Sequence, residues 1–164
     1  QTTKGGQIRF IDMYINDHQP LSHYYDWLKE RKDLIGYRYR NHNLPHDVAV
    51  TELNTGMSRQ TTLFNLGLRN IRVGTKVGIL DGIDKVRGLF NRFWFDEKNC
   101  KRLHEGLFNY RKEWDDKLGV FKDKARHDAN SHIADAVRLL SELWREDMSL
   151  LEGQETQTDQ AFFG

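Results

Sequence analysis

Apolar positions recur at intervals of three and four along several stretches of this chain, and in shorter stretches they alternate. Pro20 opens one periodic stretch, in which Leu21, Tyr24, Tyr25 and Leu28 share a face and Gly36 offers a left-handed stop. A second stretch follows Ser58, a good N-cap, and carries Thr62, Leu63 and Leu66 to Gly67. Residues 78–90 predict an amphipathic helix with Ile79, Ile83, Val86 and Phe90 facing inward. Asp96 caps a further helix with a stripe of Cys100, Leu103, Leu107 and Tyr110. A last long helix starts at Asn130 or Ser131, either a plausible N-cap. It presents Ile133, Val137, Leu140 and Trp144 and reaches about Leu150. Extended segments lie between the helices. Residues 8–14 alternate Ile8, Phe10 and Asp12 against Arg9, Ile11 and Met13. Residues 37–43 run into Pro45, and residues 70–73 and 92–95 read as short strands. Asp115, Asp116 and Gly119 mark the turn of a hairpin over residues 114–122, and residues 1–7 read as a loop or hairpin end. Strands alternating with helices predict an α/β fold. Residues 1–150 are expected to form one domain, and residues 151–164, which lack a period, a flexible acidic tail.

Composition changes this picture only locally. The 164 residues include 25 Lys and Arg against 24 Asp and Glu, so net charge does not point to a polyanionic partner. Residues 69–92 are locally basic, with Arg69, Arg72, Lys76, Lys85, Arg87 and Arg92 against Asp81 and Asp84. From Glu146 to the end only acids carry charge. The single Cys100 excludes an intramolecular disulfide and reads as inert packing. No apolar run is long enough to span a membrane, and no signal peptide is visible.

The candidate chemistry gathers where the last helix begins. In Arg126-His127-Asp128-Ala129-Asn130-Ser131-His132-Ile133-Ala134-Asp135, His132 and Asp135 stand three apart and so point the same way on a helix. Ala134 and Ala136 flank Asp135 with little bulk, and Asp128 can fold back toward it. A carboxylate and an imidazole at a helix start suit a divalent cation, although such a pair is commonly just solvated or capping. Asp47 follows Pro45 at a strand end, where carboxylates of α/β sites lie; by itself it also reads as a turn residue. Thr55-Gly56-Met57-Ser58-Arg59 can hold a phosphate through backbone amides, with Arg59 as the charged partner. It lacks the Gly-Lys pair of a nucleotide-binding P-loop.

The string His-Asp-Ala-Asn-Ser-His-Ile-Ala-Asp-Ala over residues 127–136 resembles the closing motif of the nuclease domain of phage terminase large subunits. Leu44-Pro45-His46-Asp47, followed by Glu52-Leu53-Asn54-Thr55-Gly56-Met57-Ser58-Arg59, resembles a second motif of that family, and the likeness runs over residues 8–144. The resemblance implies a ribonuclease H-like fold, a mixed sheet flanked by helices. It also implies an acidic cluster holding two Mg²⁺ or Mn²⁺ ions for cleavage of concatemeric double-stranded DNA. By motif match Asp47 is the second acidic residue, Asp135 the third, His132 a histidine close to the metals, and Asp128 a further ligand candidate. Arg59, Arg69, Arg72 and Lys76 are the candidate DNA contacts. Asp12 matches a strand position outside the centre. The implied partners are the terminase small subunit and the portal, in the cytoplasm of an infected or lysogenic bacterial host, with no membrane involved.

One departure from the family stands out. Its first catalytic aspartate lies on a strand upstream of the region matched by Gln1, and no Walker motif of the upstream motor is present. The chain therefore reads as a nuclease domain truncated at its N-terminus, with an open sheet edge. Two classes of function follow. One is a metal-dependent endonuclease; the other is a non-catalytic remnant or packaging-complex module that binds DNA or the portal without cutting.

Overall fold

The computed structural model describes residues 1–159 apart from Lys4 and Asn54, with side chains as far as Trp144 apart from Asp123. In chain order the elements are β1 (Ile8–Phe10), α1 (Leu21–Glu30), β2 (His42–Leu44), α2 (Arg59–Leu66), β3 (Ile71–Val73), α3 (Ile79–Leu89), β4 (Phe93–Phe95), α4 (Lys101–Asn109), β5 (Lys112–Asp115), β6 (Val120–Ala125) and α5 (Ala129–Asp159). The chain is thus mixed α/β. It forms two compact units: residues 15–77 make one, and residues 1–14 with 78–164 make the other.

In the unit of residues 15–77, β2 and β3 pair in parallel with Asn43 opposite Arg72. His42 N donates to Asn70 O and Gly74 N to Leu44 O at the two ends of this ladder. Val48, Leu63 and Leu68 form the buried cluster, with Leu21, Tyr25, Leu28 and Leu44 packed on it. Ser58 caps α2 by accepting from Thr61 N at 3.1 Å, and Gly67 ends it at φ 114°, as the sequence predicts. A side chain at Gly67 would also strike the Tyr25 hydroxyl, so this glycine seats α1 on α2. α1 runs on through a wider π turn, Arg31–Ile35, to Gly36 at φ 82°. The strand expected over residues 37–43 is confined to His42–Leu44, since only these residues find a ladder partner in β3.

In the other unit β1 and β4 pair in parallel, Ile8 opposite Phe93 and Phe10 opposite Phe95. The strand expected over residues 8–14 is limited to the three residues that meet β4. The far edge of β1, expected to be open, is occupied: Arg9 N donates to Gln1 O and the Gln1 amine to Arg9 O, while Thr2 bridges to Ile8. Asp12 Oδ1 accepts from its neighbour Met13 N. The core comprises Val86, Cys100, Leu103, Ile133 and Val137, with Phe10, Phe93, Phe95 and Leu107 against it. Cys100 is fully buried, in keeping with a packing role.

α5 lies against both α3 and α4, and at each crossing a glycine lets the backbones approach. An added Cβ at Gly106 would lie 2.5 Å from Ile133 Cδ1, and one at Gly82 would lie 3.1 Å from Arg138 Cδ. The expected inward face of α3 holds in its middle, where Val86 is buried and Ile83 half-buried beside the buried Gly82, but not at its ends, where Ile79 and Phe90 are about half exposed. The backbone of α5 is helical to Asp159, past the expected end near Leu150; the Phe162-Phe163 pair lies outside the described residues. The β5–β6 ribbon forms as predicted, with Gly119 at φ 64° in its turn and Asp115 Oδ1 accepting from Lys117 N and Leu118 N.

Candidate functional site

Asp128, not Asn130 or Ser131, caps α5. Its Oδ1 accepts from Asn130 N at 2.8 Å and Ser131 N at 3.3 Å, which satisfies two amides that a helix start leaves free. These backbone donors, Asn130 N first among them, hold the Asp128 carboxyl below the usual carboxylate range. Its Oδ2 faces Arg126 Nε at 3.6 Å. Ser131 is buried; its hydroxyl donates to Asp128 O and lies 3.1 Å from His127 Nδ1. Asn130 Oδ1 accepts from Arg102 on α4 at 3.0 Å. The first turn of α5 is therefore fixed by a cap, a buried hydroxyl and a bond to the neighbouring helix.

On that turn His132 and Asp135 are exposed on the side away from Ile133 and Val137, as their three-residue spacing requires. The His127 and His132 rings meet edge to face at 5.3 Å. Asp135 Oδ1 accepts from Arg138 Nη2, one turn further on. Arg138 lays its methylenes over Gly82 and is mostly covered, with Nε buried and lacking an acceptor. Sequence reasoning passed over Arg138, although its spacing from Asp135 was visible.

Asp47 lies in the other unit, in a 3₁₀ turn that begins at His46 immediately after β2 and Pro45. Its two oxygens differ. Oδ1 is buried without a hydrogen-bond partner, while Oδ2 faces Arg59 Nη1 at 3.7 Å. Arg59 also donates through Nε to Glu52 Oε1 at 3.2 Å, so one guanidinium links two carboxylates. Glu52 is a second residue not singled out from sequence; its place in the same motif as Arg59 was the available signal. Arg69 is occupied as well: Nη1 donates to Phe64 O at 2.7 Å and the guanidinium lies over the Phe64 ring, closing the end of α2. Arg72 lies on β3 and Lys76 is exposed beyond it. The basic stretch 69–92 is divided between the units, with Lys85, Arg87 and Arg92 in the second.

Among the described residues no group of three or more His, Cys, Asp and Glu side chains is arranged to hold a metal ion. Nor is any of their helices long and apolar enough to cross a membrane. No protein-family model, curated protein or solved structure matches this chain.

Proposed function

We propose that this chain is the nuclease part of a viral DNA-packaging terminase, of ribonuclease H-like fold, which cleaves concatemeric double-stranded DNA with Mg²⁺ or Mn²⁺. The observation that carries the reading is Asp47 Oδ1, a carboxylate oxygen buried just past a parallel strand with no donor. An unpaired buried acceptor is costly, and a hard cation is one partner that would satisfy it. The Asp47 carboxylate in one unit, and the Asp135 carboxylate and His132 imidazole in the other, are each suitable donors. Asp128 fits less well, because its Oδ1 is committed to the helix cap. Bound ions would supply an activated water and offset charge on the leaving oxygen. To hold an ion, Asp135 would have to give up its bond to Arg138. The fixed first turn of α5 keeps His132 exposed, where it can hold a water or donate to a phosphate oxygen. Arg59, Arg69, Arg72 and Lys76 remain the candidate backbone contacts, of which Arg59, Arg69 and Lys76 are exposed. The terminase small subunit and the portal are the partners this reading implies.

A second reading, a packaging-complex module that binds DNA or the portal without cutting, draws on the ion pairs. Arg138 already neutralises Asp135, and Arg59 faces both Asp47 and Glu52. Plasmid nicking with Mn²⁺ separates the two. The chain and a version extended upstream would be compared, each also as Asp47→Asn and Asp135→Asn. The nuclease reading expects nicking that either substitution abolishes without loss of helical content. Nicking at the parental rate by either variant refutes the assignment of that residue. Salt-sensitive duplex binding with no nicking by any version supports the module.

A further inference from the structure

His127 stands just before α5, and the proposed cleavage chemistry makes no use of it. It is exposed, as is His132 in the first turn of the helix. Between them Asp128 caps α5 and Ser131 is buried, so the backbone joining the two rings is held in place. The His127 ring has a defined tautomer. Ser131 Oγ carries one proton and donates it at 2.7 Å to Asp128 O, a carbonyl that can only accept. Toward His127 Nδ1, 3.1 Å away, the same oxygen must therefore accept, which places the ring proton on Nδ1. Nε2 is left with its lone pair. Metal-binding imidazoles are oriented in this way, one nitrogen tied by a hydrogen bond and the other bare.

The spacing of the two rings fits the same use. Their centroids lie 5.3 Å apart with planes at 75°, so they are not stacked face to face. A Zn–N bond of about 2.1 Å places an ion roughly 3.2 Å from the centre of each imidazole, and a tetrahedral angle between the two bonds then sets the centres roughly 5.2 Å apart. The pair thus has the separation of two histidines on one ion. Asp128 adds charge of the right sign: the amides it caps hold its carboxyl below the usual range, so it is anionic at neutral pH. Arg126, with Nε 3.6 Å from Asp128 Oδ2, offsets part of that charge. The nitrogen donors select the ion, since Mg²⁺ and Ca²⁺ take oxygen whereas Zn²⁺ and its late first-row neighbours take imidazole. We infer that His127 and His132 together form a two-point site for an imidazole-preferring divalent cation of the Zn²⁺ class. Water completes the coordination, because no third His, Cys, Asp or Glu among the described residues joins the pair. The ion clamps the segment leading out of β6 to the first turn of α5. The site shares His132 with the proposed cleavage centre but needs neither Asp47 nor DNA.

The test is isothermal titration calorimetry of the full chain with ZnCl2 at neutral pH in millimolar Mg²⁺, beside NMR of the imidazole side chains. The expected result is one Zn²⁺ per chain, undisturbed by Mg²⁺, with the His127 Nε2 and His132 ring resonances shifting together. His127→Ala and His132→Ala should each abolish the binding; both residues are exposed, so helical content by circular dichroism should not change. Ser131→Ala, which removes the partner of Nδ1, should weaken the binding about tenfold. As a control, replacement of the exposed His104 on α4 (His104→Ala) should leave it as in the parent. Parental affinity in either His127→Ala or His132→Ala overturns the inference. So does a chain that takes up no Zn²⁺, one from which Mg²⁺ displaces it, or Zn²⁺ that shifts other histidines and not this pair, an adventitious ion only. The NMR arm uses the parent chain and decides the matter even where a variant misfolds. The inference does not rest on cleavage: a chain that never nicks plasmid but binds Zn²⁺ through this pair supports it while removing the nuclease reading.

Discussion

Replacing Gly106 by alanine tests how closely α4 and α5 must approach. The new Cβ would lie 2.5 Å from Ile133 Cδ1, 3.0 Å from Cγ2 and 3.2 Å from Cβ. Carbon atoms in contact settle at roughly 3.5–4.0 Å, so the terminal methyl must retreat by about 1 Å. Rotating Ile133 does not solve this, because its Cβ is fixed to the helix and its χ1 is restricted there. The two helices must separate by a few tenths of an ångström. Overpacking of this kind costs about 1–3 kcal/mol. Alanine in place of glycine inside a helix returns about 1 kcal/mol. The net expectation is a loss of about 1 kcal/mol. Gly88 on α3 is the control, because an added Cβ there meets nothing within 4 Å; Gly88→Ala should stabilise by about 0.5–1 kcal/mol. Urea unfolding followed by circular dichroism would measure both. Ile133→Val sharpens the test by deleting the nearest atom. Combined with Gly106→Ala it should be less destabilising than the sum of the single changes, with a coupling of about 1 kcal/mol. If Gly106→Ala stabilises as much as Gly88→Ala, the close crossing is not what holds α5 in place.

Two further outcomes follow from titratable groups. Glu113, hydrogen-bonded by Lys122 and Lys124, has its carboxyl lowered to about 2. Its contribution to the ribbon is complete above the ordinary glutamate value and is lost as pH falls from there toward 2; a carbon-detected NMR titration that placed Glu113 near 4.5 would contradict these pairs. Asp128→Ala should open the first turn of α5, seen as faster amide exchange at Asn130 and Ser131, while Asp128→Asn should largely preserve it. Because the Asp128 carboxyl is depressed, its stabilising effect is present above the ordinary aspartate value and is lost as pH falls through the lower folded value. Exchange at these two amides that does not change with the substitution would reassign the cap.

The signals that could be read from sequence were local ones. Ser58 and Gly67 bracket α2 because capping depends on one hydroxyl and one positive φ. Asp115 and Gly119 place the ribbon's turn for similar reasons. Strand lengths were not legible, since Ile8–Phe10 and His42–Leu44 end where a partner distant in sequence ends. The middle of the α3 face, Ile83 and Val86, was legible from spacing, but the burial of Gly82 against Arg138 was not, because glycine gives no hydrophobic signal, and Ile79 and Phe90 at the ends stay half exposed. For the candidate site, the exposure of His132 and Asp135 followed from helical spacing. The capping by Asp128 could have been inferred from its place before Ala129, but two later polar residues competed for that role. The pairing of Asp47 Oδ2 with Arg59, and the orphaned Oδ1, depend on packing within the unit of residues 15–77 and leave no mark in the sequence pattern.

Residues 15–77 interrupt the other unit in sequence, and this gives the two units different histories on the ribosome. The inserted unit is continuous and can close as soon as its own residues emerge. β1 is made before it, yet its partner β4 is not available until Phe93 has been added. At ordinary synthesis rates of about 5–20 residues per second the delay is on the order of ten seconds. Throughout it, Ile8 and Phe10 lack the strand and the helices that pack on them in the finished chain. β1, whose Ile8 is among the most deeply buried side chains of the described residues, is thus the part of its unit that nascent-chain chaperones would hold longest.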